Sequence, residues 1–163
     1  MFFTEEMAKF YLAETIIALE YLHSKSILYR DLKPSNILLD SQGHIKLCDF
    51  GISKIVESEL NYSFCGSPEY MAPEMLQGAP HNFSLDIYSL GALLHELIVG
   101  APPHFNGPDE NVQRVELYRR IINERVKIPE NISSDTKSLI QLMLSKDPKK
   151  RPSIAEIKSH KFF

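Results

Sequence analysis

Apolar positions recur at helical spacing from the start of the chain. Thr4 supplies an N-cap, Glu5 and Glu6 place negative charge in the first turn, and Phe10, Ala13, Ile17 and Leu22 follow. Leu12, Ile16 and Leu19 widen that stripe, which predicts one long, heavily buried helix ending near His23-Ser24. Three short strand-like pieces come next, over 27–29, 37–39 and 44–47. Asp40-Ser41-Gln42-Gly43 turns the chain between the last two, with Gly43 suited to positive φ. From 52 to 75 no period is sustained, and Gly66, Pro68 and Pro73 mark a long ordered loop, a kind that is usually functional. The stretch 85–99 is the most apolar helix, interrupted by Asp86, His95 and Glu96, and reads as a central post that Pro102-Pro103 stops. Further helices are expected over 110–125, 134–144 and 153–160. The pattern predicts a single, mostly α domain with a central buried helix and a small β-hairpin region at the edge of a cleft.

At 163 residues the chain can bury a core of its own, and 44% hydrophobic with 24% charged residues is ordinary for a globular protein. A net charge of −3 argues against a nucleic-acid footprint. No apolar run approaches the ~18 residues that a membrane span needs, and no secretory signal is evident. Two cysteines, Cys48 and Cys65, make neither a disulfide framework nor a zinc site, which favours a reducing cytoplasmic or nuclear compartment. Glycosylation-like triplets at Asn61, Asn82 and Asn131 are read as chance. His95-Glu96 begins a zinc-protease helix pattern but lacks its second histidine.

The chemistry concentrates between the strand-like pieces. Tyr29-Arg30-Asp31-Leu32-Lys33-Pro34-Ser35-Asn36, followed by Asp49-Phe50-Gly51, spaces two aspartates, a lysine and an asparagine as phosphoryl transfer requires. That reaction needs a group to orient and deprotonate a hydroxyl, oxygen donors for magnesium, and a cation to follow charge onto the moving phosphoryl group. Asp31 is the candidate base, and Lys33, two residues on, points to the same side of an extended loop.

These segments read as H-R-D-x-x-x-x-N with tyrosine for histidine, then D-F-G, and Met71-Ala72-Pro73-Glu74 supplies A-P-E. Over nearly its whole length the chain resembles the C-terminal lobe of a eukaryotic protein kinase. Lys33 in the loop is similar to the serine/threonine branch. Tyr29, with Phe64-Cys65-Gly66-Ser67-Pro68-Glu69-Tyr70, resembles the AGC group, although that group's C-terminal tail is not found here. No G-x-G-x-x-G-x-V loop and no V-A-x-K strand occurs, so residues 1–163 are expected to be the larger lobe without its N-terminal partner.

The resemblance implies Mg·ATP as cofactor and protein serine or threonine hydroxyls as acceptors. Asn36 and Asp49 are the implied magnesium ligands, and Lys33 and Leu38 adjoin the nucleotide, Leu38 under the adenine. Phe50 is implied to pack in a hydrophobic spine. Ser63 aligns with the activation-loop phosphosite of an upstream kinase, with Arg30 and Lys54 to receive the phosphate. Gly66, Ser67 and Pro68 form the implied substrate platform, and Glu96 matches an acid that reads a substrate arginine, while Ser35 stands where a second acid is common. Glu74 with Arg151, and Asp86 under the catalytic loop, are implied structural supports. The competing expectation is a truncated, inactive docking module, and the isolated chain is expected to show little turnover.

Overall fold

A computed structural model describes residues 3–56, 62–105 and 114–163. Its elements are α1 Glu5–Ser24, β1 Ile27–Leu28, β2 Ile37–Leu39, β3 Ile45–Leu47, β4 Lys54–Ile55 and α2 Pro73–Leu76. They continue with α3 Ser84–Val99, α4 Arg114–Asn123, α5 Ser134–Met143 and α6 Ile154–Lys158. Single 3₁₀ turns occupy Pro34–Asn36, Pro68–Tyr70 and Pro148–Lys150. The fold is mostly α, in agreement with the pattern.

The post of the molecule is α3. Every residue from Leu85 to His95 is buried, polar Asp86, Ser89 and His95 included. On one side it crosses α5 and on another α1. The α5 crossing is close: a Cβ at Gly91 would stand 2.8 Å from the Met143 Cβ, so only glycine lets the helices approach. At the far end Gly100, at φ +89°, donates its N–H to the Glu96 carbonyl at 2.7 Å. The helix therefore ends at a left-handed glycine cap, two residues before the Pro102-Pro103 pair expected to stop it.

Thr4 caps α1 by accepting the Met7 N–H at 3.2 Å. The buried face of α1 is Ala8, Leu12, Thr15, Ile16, Leu19 and Leu22. Phe10 and Ile17, two of the four residues that defined the expected stripe, are exposed. The face is rotated toward the polar Thr15, whose hydroxyl satisfies itself on the Tyr11 carbonyl at 2.7 Å and so enters the core without penalty.

The β structure is two antiparallel pairs. β2 and β3 form the expected hairpin, Ile37 opposite Leu47, and Asp40 closes its turn by accepting the Gln42 and His44 N–H groups. β1 pairs with β4, Ile27 opposite Ile55, inside the stretch read as irregular. Lys54 and Ile55 are both exposed, so a two-residue strand there carries no alternation to recognise. The same stretch contains the Pro68–Tyr70 turn and most of α2, and residues 57–61 lie outside the described structure, as do 106–113, which include the first four residues of the helix expected over 110–125.

Candidate active site

Asp86, fully buried in the first turn of α3, organises the catalytic-loop segment. Its Oδ2 accepts the Tyr29 N–H and its Oδ1 the Arg30 N–H, both at 2.9 Å, and His23 Nε2 lies 2.8 Å from Oδ2. These bonds hold Arg30 in the left-handed region, at φ +74°, a conformation that costs a side-chain-bearing residue about 1–2 kcal/mol. Leu28 and Leu32 are buried on either side of the bend. The bend turns the next carboxylate, Asp31, back toward the 62–70 segment.

Asp31 is the hub of the site. Its Oδ1 accepts the Ser67 N–H at 3.1 Å and the Ser67 hydroxyl at 2.8 Å. Its Oδ2 accepts Asn36 Nδ2 at 2.9 Å and lies 2.9 Å from Lys33 Nζ. Lys33 Nζ also donates to Ser67 Oγ at 2.8 Å. Burial pushes the Asp31 carboxyl up, but the bonds from Lys33, Ser67 and Asn36 together prevail and hold it below its usual value. The carboxylate is thus ionised, oriented and fixed at neutral pH.

Asn36, buried in the 3₁₀ turn, spends its amide donor on Asp31 and keeps its side-chain carbonyl as an acceptor. Its backbone carbonyl receives the Cys48 N–H at 3.0 Å, which ties the end of β3 to the loop. Asp49 follows at once, at φ +55°, with an exposed carboxylate on which the Gly51 N–H makes one long bond of 3.3 Å. Burial and the charges of Cys48, Asp31, Asp49 and Asp86 all raise the Tyr29 phenol, so these carboxylates surround one side chain. The Cys48 bond brings the backbones of Asn36 and Asp49 close, and their hard oxygen donors are of the type that fits Mg²⁺ completing its shell from water and phosphate. No cluster of three or more His, Cys, Asp or Glu able to hold a metal occurs among the described residues.

Sequence reasoning used Tyr29 only as a marker of kinship. Its phenol donates to the Cys48 carbonyl and its ring meets Phe50 edge-on at 5.3 Å, so it clamps the loop to the Asp49 strand. A buried aromatic replacing a histidine was the available signal. Phe50 itself is half-exposed, and Leu38 faces outward from β2. Among the described residues the Phe50 ring is paired with Tyr29.

The 62–70 segment is held against the loop from beneath. Gly66 adopts φ +105°, and a Cβ there would fall 2.7 Å from the Arg30 carbonyl. Arg30 Nε donates to the Ile52 carbonyl at 2.6 Å, while its buried Nη1 has no partner among the described residues. Arg30 and exposed Lys54 both act electrostatically on Cys65, two residues from Ser63, and no bond joins either cation to Ser63 among the described residues. Pro68 opens the turn that presents Tyr70, whose hydroxyl donates to Glu96 and whose carbonyl accepts from Ser89. Lys33, Ser35, Ser67, Glu69 and Glu96 line a groove of about 390 Å³ beside Asp31. Behind it Glu74 of α2 and Arg151 bond in two places at 2.6 Å.

No helix among the described residues is long and apolar enough to cross a membrane. The protein kinase domain model matches residues 1–163. The chain is 46% identical to Serine/threonine-protein kinase gad8 of Schizosaccharomyces pombe, over 96% of this chain and 27% of that protein. It is 45% identical to Protein kinase 2 of Dictyostelium discoideum, over 99% of this chain and 33% of that one. Serine/threonine-protein kinase Sgk1 of Homo sapiens is 45% identical over 99% of this chain and 38% of its own length. The chain thus spans about a third of the length of these relatives. The kinship read from the catalytic-loop and 64–70 segments agrees with these relatives, and the chain belongs to the protein kinase family.

Proposed function

We propose that residues 1–163 are the catalytic C-terminal lobe of a protein serine/threonine kinase that transfers the ATP γ-phosphoryl group to serine or threonine hydroxyls of proteins. The observation that carries this reading is the Asp31 carboxylate, bonded at once by Lys33, Asn36 and Ser67. Asp31 orients the acceptor hydroxyl and takes its proton late in a largely dissociative transfer. Lys33 stands 2.9 Å away to balance charge as it moves, and Ser67 fixes the pair relative to the substrate groove. Asn36 and Asp49 would hold the metal that neutralises the phosphate charge. Mg·ATP, when bound, supplies the activated phosphoryl group.

The groove beside Asp31 carries Glu69 and Glu96, which supports a preference for a basic residue on the protein substrate. Phosphate added to Ser63 by an upstream kinase would find the unsatisfied Arg30 Nη1 and Lys54 nearby and order the 62–70 segment. Two free thiols, Cys48 and Cys65, suit a reducing cytoplasmic or nuclear setting. The exposure of Leu38 and Phe50 at the cleft edge supports a second reading, a docking module without turnover.

Phosphate transfer to a peptide by the complete kinase separates the two. Asp31→Asn is expected to lower kcat by about 10²–10⁴-fold with little change in KM. Transfer by the wild type no faster than the background without enzyme would leave only the docking reading.

A further inference from the structure

A second cavity lies away from the Asp31 cleft. It measures about 520 Å³ and opens between the end of α3, the 101–105 turn, α4 and the extended segment 124–129. That size is typical of a small-molecule site. Its floor is braced by His95, whose Nδ1 lies 2.8 Å from the Ala101 carbonyl and Nε2 3.2 Å from the Lys127 carbonyl.

The charge around it is mostly positive, with Arg119, Arg120, Arg125 and Lys127 in the lining against Glu124. Arg119 is spent on Glu116 and Glu124, and Arg120 gives its Nε to Glu116 at 2.9 Å. The Arg120 side chain is 19% exposed, and its Nη1 is buried without a partner among the described residues. Val126 and Ile128 pack against the core, and the two-residue period of the extended chain turns Arg125 and Lys127 the other way. Neither side chain makes a hydrogen bond or ion pair with a described residue. Behind the wall Lys146 Nζ reaches His104 at 3.3 Å. Burial, with the nearby Arg151, pushes Lys146 down to about 8.

We infer that this cavity is an anion site for a small phosphorylated molecule, bound by the exposed side chains of Arg125 and Lys127 beside the Arg120 guanidinium. Two exposed cations on one wall, with Arg119 and Arg120 on the other, can meet a phosphate from several directions, and a cavity of this volume suits a small molecule. The site is independent of the phosphoryl-transfer reading.

Calorimetric titration of the full chain with inorganic pyrophosphate tests it. Saturable one-to-one binding that weakens with added salt is expected. Arg125→Ala/Lys127→Ala, both exposed and unpaired, should weaken it at least about tenfold, and Lys127→Gln alone should give a smaller loss. Lys33→Ala should leave it unchanged. Absence of binding, or affinity untouched by the double substitution, would overturn the site. Loss with Lys33→Ala instead would move the anion to the Asp31 cleft and overturn it equally, and tighter binding of a phosphoserine peptide than of pyrophosphate would overturn the small-molecule assignment.

Discussion

Arg151 meets Glu74 across 77 residues of chain in a two-point bond, Nη1 to Oε1 and Nη2 to Oε2, each at 2.6 Å, with side-chain exposures of 0% and 5%. The guanidinium also donates to the Ser84 and Ser145 carbonyls and lies 5.0 Å from the centre of the Tyr88 ring. It therefore joins α2, the start of α3 and the last 3₁₀ turn. Removing one partner leaves a buried charge uncompensated, so Glu74→Ala or Arg151→Ala should cost about 3–5 kcal/mol. The double change Glu74→Leu/Arg151→Met should cost less than the sum of the two. Urea unfolding of the three variants measures both quantities.

Asp86 should tolerate replacement poorly. Ala at this position leaves the Tyr29 and Arg30 N–H groups without their acceptor, and His23 without its carboxylate partner. A buried unsatisfied donor costs about 1–3 kcal/mol, so Asp86→Ala should lose about 3 kcal/mol or more. Asp86→Asn, which returns one acceptor, should fall between it and the wild type. Stability equal to that of the wild type would mean that the loop keeps its left-handed Arg30 without this carboxylate.

Gly66→Ala combines two penalties, a side chain at φ +105° and a Cβ 2.7 Å from the Arg30 carbonyl. The backbone must move, and Ser67 moves with it, loosening the bonds to Asp31 and Lys33. We expect a stability loss of about 1–2 kcal/mol and a fall in kcat of the complete kinase larger than Ser67→Ala produces. Stopped-time peptide phosphorylation beside thermal unfolding checks the pair.

His104 sets an acid limit. Burial, aided by Lys146, pushes its imidazole down to about 4 from an ordinary 6.5. Between those values the unfolded chain binds a proton that the folded chain refuses, so stability is fully present above about 6.5 and declines as pH falls toward 4. His104 sits at φ +65°, where asparagine is well tolerated. His104→Asn should therefore fold, and its unfolding free energy should fall less steeply from pH 6.5 to 4 than that of the wild type. Parallel slopes would show that the ring takes its proton within the folded protein.

Much of the fold was legible without coordinates, because helices α1, α3, α5 and α6 carry their caps and apolar periods locally. Thr4, Ser133 and Ser153 each accept the backbone N–H that their position in the sequence announces. The β2–β3 hairpin was legible for the same reason, its turn being closed by Asp40 itself. Asp31, Lys33 and Asn36 lie within six residues, so local chain geometry nearly sufficed to bring them together.

What the sequence alone determined, then, was the set of elements and the chemical types at the cleft, since both depend on interactions between near neighbours. Tertiary structure decided the rest. Which face of α1 is buried depends on where α3 and β3 press, so Phe10 and Ile17 were left outside. Strand β4 exists only because β1 offers it a partner across 26 residues. The long-range ties of Asp31 to Ser67 and Asp86 to Arg30 have no periodic trace, because contacts between distant residues are fixed by packing and leave no spacing to read.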